Sequence, residues 1–193
     1  SKKKVFDRKK GYREITYKDI VVLLRSTSKS APIFEEEIAA LNIPIYSDTS
    51  SEYLNSIEIQ TIMSLLRIIE NPVQDIPLVT VLRSMIGGFT DNELVEIRLA
   101  DKNTSFYYAM KKSMIKVNDN LRNKIEVFLE KLAKWRNEEK YKPLDELIWQ
   151  IYIETGYYNY VTLMTNGIQR KANLKMLFEK AKKYESESFK GLY

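Results

Sequence analysis

The sequence predicts a mainly α-helical chain with a small α/β part: a βαβ element in front and an all-helical region behind it. Three observations carry this. A run of five apolar residues, Ile20–Leu24, three of them β-branched, ends at a polar loop. From Ser56 onward, apolar residues recur at spacings of three and four. Glycine is scarce, six in 193 residues, as suits a chain dominated by helices.

The elements follow in order. Ile20–Leu24 has no polar alternation, which predicts a buried, parallel strand. Ser30 is a candidate N-cap, Pro32 suits a first turn, and Glu35, Glu36 and Glu37 suit the positive end of a helix dipole. This helix should stop near Asn42. Ile43–Tyr46 then reads as a second strand, so the expected unit is βαβ with a right-handed crossover. Ser56 can cap a helix carrying Ile59, Ile62, Met63, Leu66 and Ile69, ended by Asn71-Pro72. Asp75 opens another, with Leu78, Val81, Leu82 and Met85 inward and Gly87-Gly88 as terminator. Thr90 and Glu93 form a capping box for the next. A short helix is expected around Ser105–Lys112. After a break at Lys116–Asn120, Leu121, Ile125, Phe128, Leu132 and Trp135 mark a long amphipathic helix. Pro143 starts one that ends at Gly156, and the last runs from about Ile168 to Tyr184.

The composition excludes several chemistries. There is no cysteine and no histidine. A disulfide scaffold, a thiolate metal site and a cysteine nucleophile are therefore ruled out, as is a Ser-His-Asp triad. The absence of cysteine is compatible with a reducing cytosol. No apolar run approaches the roughly 18 residues that span a bilayer. The net charge is +5, but residues 1–18 hold eight basic groups against two acids, leaving the other 175 residues at −1. The basic character belongs to an N-terminal tail or strand lead-in rather than to the body. With no initiating Met and no signal segment, the sequence reads as a piece of a longer protein.

Several residues could carry chemistry. Arg25 is expected at the C-terminal end of a parallel strand, where open α/β sheets place ligands, and a guanidinium fits phosphate oxygens. A salt bridge to an acid such as Glu36 is the alternative. The loop Ser26-Thr27-Ser28-Lys29-Ser30 offers hydroxyls but no G-x-x-x-x-G-K-[ST] phosphate loop. Gly87 and Gly88 could let backbone amides meet a nucleic-acid phosphate, or could simply cap a helix. Arg170, Lys171 and Lys175 on the last helix could track a phosphate backbone or form a solvated face. Tyr157, Tyr158 and Tyr160 could stack on bases, although packing is the simpler reading. The adjacent acids Asp145-Glu146 and Glu138-Glu139 diverge by about 100° on a helix, so neither makes a metal or acid/base pair. No metal site is expected.

Taken together, the segments resemble a known family. "DIVVLLRSTSKSAPIFEEEIAALNIPIY" is similar to the start of the second motor lobe of UvrD-like superfamily 1 helicases: a strand ending in Arg, a polar loop, a Glu-rich helix and an Asn-Ile-Pro strand. "EYLNSIEIQTIMSLLRIIENPVQDIPLVTVLRS" continues the motif order. "TGYYNYV…GIQRKANLKMLFEKAKKYESESFKGLY" resembles the A subunits (AddA type) of bacterial two-subunit ATP-dependent helicase/nucleases.

The resemblance implies a partial RecA-like second motor lobe at 19–114 and a helical accessory subdomain at 115–193. It implies that Arg25 reaches the γ-phosphate of ATP held mainly by another lobe, with Mg2+ in the full enzyme, and it places Tyr53 and Glu58 in a neighbouring motif near the motor cleft. The implied partners are DNA and an AddB-like second subunit. Double-strand-break repair in the cytoplasm, away from any membrane, is the implied setting. The piece alone is expected to hydrolyse no ATP, cut no DNA and bind no cofactor. Where UvrD-type relatives carry a Gly-Ile-Gly-like hairpin, this chain has Lys116–Asn120, a departure from the pattern. The competing reading is a stand-alone helical nucleic-acid-binding or scaffold protein without catalysis.

Overall fold

The computed structural model describes residues 3–7, 11–25, 27–45 and 53–187. The chain divides into two compact units, residues 1–53 and 54–193.

In the first unit, β1 (Lys4–Asp7) and β2 (Gly11–Glu14) pair antiparallel, with Lys4 opposite Glu14 and Phe6 opposite Tyr12. Gly11 enters β2 at φ +72°, a left-handed conformation that disfavours other residues. The basic N-terminal stretch thus contains a folded hairpin. Arg13 pins it to the next turn of the chain: its guanidinium donates to both carboxylate oxygens of Asp19 at 2.7 and 2.6 Å, and to Asp7 at 3.2 Å. The Asp19 carboxylate also accepts from the backbone N–H and hydroxyl of Thr16, at 2.8 and 2.7 Å, capping a single 3-10 turn at Tyr17–Asp19. These bonds, that from Arg13 foremost, hold the Asp19 carboxyl well below the usual carboxylate range.

The expected βαβ element requires correction. Its helix is present as α1 (Thr27–Ala40), which starts three residues before the proposed Ser30 cap. Asn42, at φ 57°, takes the left-handed position just past its end. The flanking strands are not formed. Residues 21–24 are irregular, with Val21 75% and Leu23 90% exposed, and residues 43–45 are irregular too; Tyr46 lies outside the described residues. The reason is physical: a parallel strand needs hydrogen-bonded neighbours, and the two strands described in this unit pair only with each other. The class stands as mainly α with a small α/β part, the β portion being an antiparallel hairpin.

The second unit is helical. A 3-10 turn at Tyr53–Asn55 leads into α2 (Ile57–Glu70), followed by α3 (Asp75–Arg83), α4 (Asp91–Ala100), α5 (Phe106–Ser113), α6 (Asp119–Glu138), α7 (Leu144–Thr155), the single-turn α8 (Tyr157–Tyr160) and α9 (Gly167–Glu187). Helix α2 is the hub and packs against α3, α6 and α9. Ile59, Ile62, Leu65 and Ile68 on it are fully buried, so its apolar surface extends well beyond one stripe. Leu78, Leu82, Ile97, Met110, Ile125, Trp135 and Tyr152 complete the core.

The helix ends follow local chemistry. Thr90 and Glu93 form the reciprocal capping box of α4. The Asn118 side chain accepts from the Leu121 N–H at 2.9 Å and caps α6, so the Lys116–Asn120 break is a helix start. Gly156, at φ 68°, ends α7. Arg136 donates to the Ile69 carbonyl at 2.9 Å, tying α6 to the C-terminal turn of α2. The packing of α2 on α6 and α9 crosses the boundary expected at 114/115, which runs through the interior of this unit.

Candidate functional site

Arg25 lies in the first unit, at a bend before α1, and is exposed. No hydrogen bond or ion pair joins it to another described residue, and the Glu36 side chain lies outside what the structure describes. Its surroundings differ from the expectation: it follows the irregular Ile20–Leu24 segment rather than a paired strand.

The other candidates belong to the second unit. Gly87 and Gly88 lie between α3 and α4. The Gly87 N–H donates to Val81 O at 3.2 Å and the Gly88 N–H to Ser84 O at 2.7 Å. Both amides therefore serve the turn. Gly87 is required by close approach, since a Cβ there would sit 2.5 Å from the Leu82 Cα; Gly88 is required by its φ of +69°.

On α9, three basic candidates have three different environments. Arg170 is drawn inward: its Nη1 makes a short ion pair with Glu58 Oε2, and its Nε donates to Thr165 O at 2.8 Å. Asn173, one turn on, donates to Glu58 Oε1 at 2.8 Å, and Gln169 donates to Asn173 Oδ1 at 3.1 Å. Glu58 is 0% exposed. Burial alone would push its carboxyl up, but hydrogen bonds from Asn173, the Glu58 backbone, Ser56 and Arg170 outweigh it and hold the pKa below the usual value. Lys171 is half-buried and places its ammonium 4.7 Å from the centre of the Tyr158 ring. Lys175 is exposed, with the Glu179 carboxylate 3.8 Å away.

The tyrosines are mostly packed. Tyr157 is buried, Tyr160 stacks on it at 6.2 Å, and Tyr158 stacks on Tyr152 at 5.7 Å. Among the described residues, no group of three acidic side chains is arranged to hold a metal ion, and no helix is long and apolar enough to cross a membrane.

The partnership of Glu58 with Arg170 and Asn173 escapes a reading of the sequence, although a signal exists. Glu58 sits four residues before Ile62 and seven before Leu65, in the buried register of α2. An acid in an apolar register demands a buried donor.

The chain matches the UvrD-like helicase C-terminal domain over residues 3–192. It is 46% identical, over 217 residues, to the ATP-dependent helicase/nuclease A subunit of Clostridium botulinum (strain Loch Maree / Type A3), covering 98% of this chain and 17% of that relative. It is 50% identical over 190 residues to the protein of the same name from Thermoanaerobacter sp. (strain X514), covering 98% and 15%. With its counterpart in Clostridium kluyveri (strain ATCC 8527 / DSM 555 / NBRC 12016 / NCIMB 10680 / K1) it shares 48% over 201 residues, covering 98% and 16%. The chain thus spans about a sixth of the length of these relatives. It belongs to the UvrD-like helicase C-terminal domain family.

Proposed function

We propose that this chain supplies part of the second motor lobe, and its inserted helical accessory subdomain, of a cytoplasmic ATP-dependent DNA helicase/nuclease. The proposed parent works with an AddB-like second subunit on double-strand breaks for recombinational repair. The observation that carries the reading is the family match over residues 3–192, together with relatives named as A subunits of ATP-dependent helicase/nucleases.

In this reading Arg25 acts on the γ-phosphate of ATP. It is the one proposed catalytic residue, and it is exposed, as a group that meets a nucleotide held elsewhere must be. Its guanidinium would stabilise charge developing on the transferred phosphoryl group, as an arginine finger does. The chain has no phosphate loop, and its described residues hold no acidic cluster for Mg2+, so ATP and its metal would be held by other parts of the enzyme. The 193-residue chain alone is proposed to be inactive. For DNA, Lys171 and Lys175 fit better than Arg170, Gly87 or Gly88, which have internal partners. The 19–114 and 115–193 division remains the proposed assignment of family parts.

The test is R25A in the full-length enzyme. ATP turnover should fall at least tenfold while the circular dichroism spectrum and melting temperature stay those of the wild type. Unchanged turnover rejects the role of Arg25.

A further inference from the structure

We propose that Trp149, backed by Tyr158 and Phe178 and flanked by Lys171 and Lys175, forms a stacking site for single-stranded DNA on the α7–α9 face of the helical unit. This rests on the DNA reading above, from which it takes Lys171 and Lys175, and adds the aromatic residues beside them.

The first observation is an aromatic cluster with one ring, that of Trp149, exposed to solvent. Trp149 on α7 is 41% exposed. Its ring lies 5.4 Å from that of Tyr158 and 5.3 Å from that of Phe178. The cluster is held rigidly from below. Tyr158 stacks at 15° on Tyr152, which is fully buried and donates its hydroxyl to Leu174 O at 3.1 Å. Here an indole fixed by three neighbouring rings meets water, and a fixed ring loses little freedom on binding.

The second observation is the charge beside it. Lys171, Lys175, Phe178 and Lys182 are spaced four, three and four apart on α9 and share one face. Lys171 lies over Tyr158, which puts an ammonium at the border of the ring cluster. Lys175 is exposed one turn further on. The acids in sequence reach are Glu179, 3.8 Å from Lys175, and Asp145 and Glu146, one turn before Trp149 on α7. An exposed contact at that distance does little to immobilise Lys175. The geometry therefore joins an exposed π surface to a row of ammonium groups at helical repeat.

An occupant must offer flat faces and regularly spaced negative charge together. Unpaired nucleotides do: each base has a π face, and each backbone step a phosphate. A duplex hides its base faces in the stack and would engage the lysines alone.

The 193-residue chain contains its own reporter, because its only other tryptophan, Trp135, is fully buried. Titration with a 15-mer of deoxythymidine in 50 mM salt should quench tryptophan emission, and W149F should lose the quenching. With a dye-labelled oligomer read by anisotropy, W149A should weaken binding at least fivefold. K171A/K175A should weaken it more, and should reduce the salt slope by about 1.4, at about 0.7 per single-strand phosphate contact. Melting curves verify that each variant folds, and W149F keeps an aromatic ring if W149A does not fold.

Absence of binding in low salt overturns the proposal. So does binding that folded W149A leaves unchanged, or equal competition by a duplex of the same length. None of these readouts involves ATP, so a failure here leaves the Arg25 test standing, and failure of that test leaves this one standing.

Discussion

The two units of the chain differ in their cores: the second has many fully buried apolar side chains, and the first has none among its described residues. In the first, Val21, Val22, Leu23, Ile33 and Leu41 are all more than half exposed; in the second, Ile59, Ile62, Leu65, Leu78 and Ile97 are fully buried. The sequences look equally hydrophobic at these places. The difference lies in where the partners are. Helices α2 to α9 bury their faces on one another, all within 140 residues. The Ile20–Leu24 segment has the composition of a strand covered on both faces, and nothing described in its own unit pairs with it. The described helices thus find packing partners within their own unit, and the described Ile20–Leu24 run finds no strand to pair with in its own. The exposed run fits the proposal that the remainder of a motor lobe lies elsewhere in a longer protein.

The largest predicted effect breaks the closed unit from inside. E58A removes the carboxylate from the Arg170–Asn173 cluster and leaves a guanidinium largely buried without its partner. Loss of one member of a buried pair is expected to destabilise by about 3–5 kcal/mol, read as a lower denaturant midpoint of the 193-residue chain. The same group predicts a pH dependence. Its folded pKa is below the ordinary 4.5, so its stabilisation is fully present above that value and is lost as pH falls through the folded pKa. The acid limb of the stability curve should be shallower in E58A.

A pair of identical truncations sharpens the contrast between units. L65A empties a site that is 0% exposed and should cost about 2–5 kcal/mol. L23A alters a residue that is 90% exposed and should shift stability by less than about 0.5 kcal/mol. A comparable loss from both would mean that the Ile20–Leu24 run has a buried partner after all. The smallest effect on the helical unit is that of T90A, which removes the side-chain half of the α4 capping box and should cost about 1 kcal/mol by chemical denaturation.

These comparisons explain what can be read from the residues alone. The helices are legible because their determinants are local: Thr90 with Glu93, the Asn71-Pro72 stop, Gly156 at a left-handed C-cap, and the periodic stripe of α6. The Ile20–Leu24 strand is not, because an apolar, β-branched run shows strand composition and not whether a pairing neighbour is present. The hairpin at Lys4–Glu14 hides in what looks like a charged tail, although Arg13 there has two carboxylate partners within six residues. Arg170 looks like a surface cation because helical spacing shows a face, not what lies opposite it. Its partner Glu58 is 112 residues earlier. Trp149 escapes notice because an aromatic in an apolar stripe looks like core until its exposure is known.

One consequence concerns topology. Glu58 on the opening helix of the second unit and Arg170 on the closing one grip each other directly, so the stretch between them leaves and returns at a single point. A segment anchored in this way behaves like a graft on a stem. Its loops can grow, shrink or be exchanged while both ends stay clasped, so new surfaces can be tried there without disturbing whatever the stem is attached to.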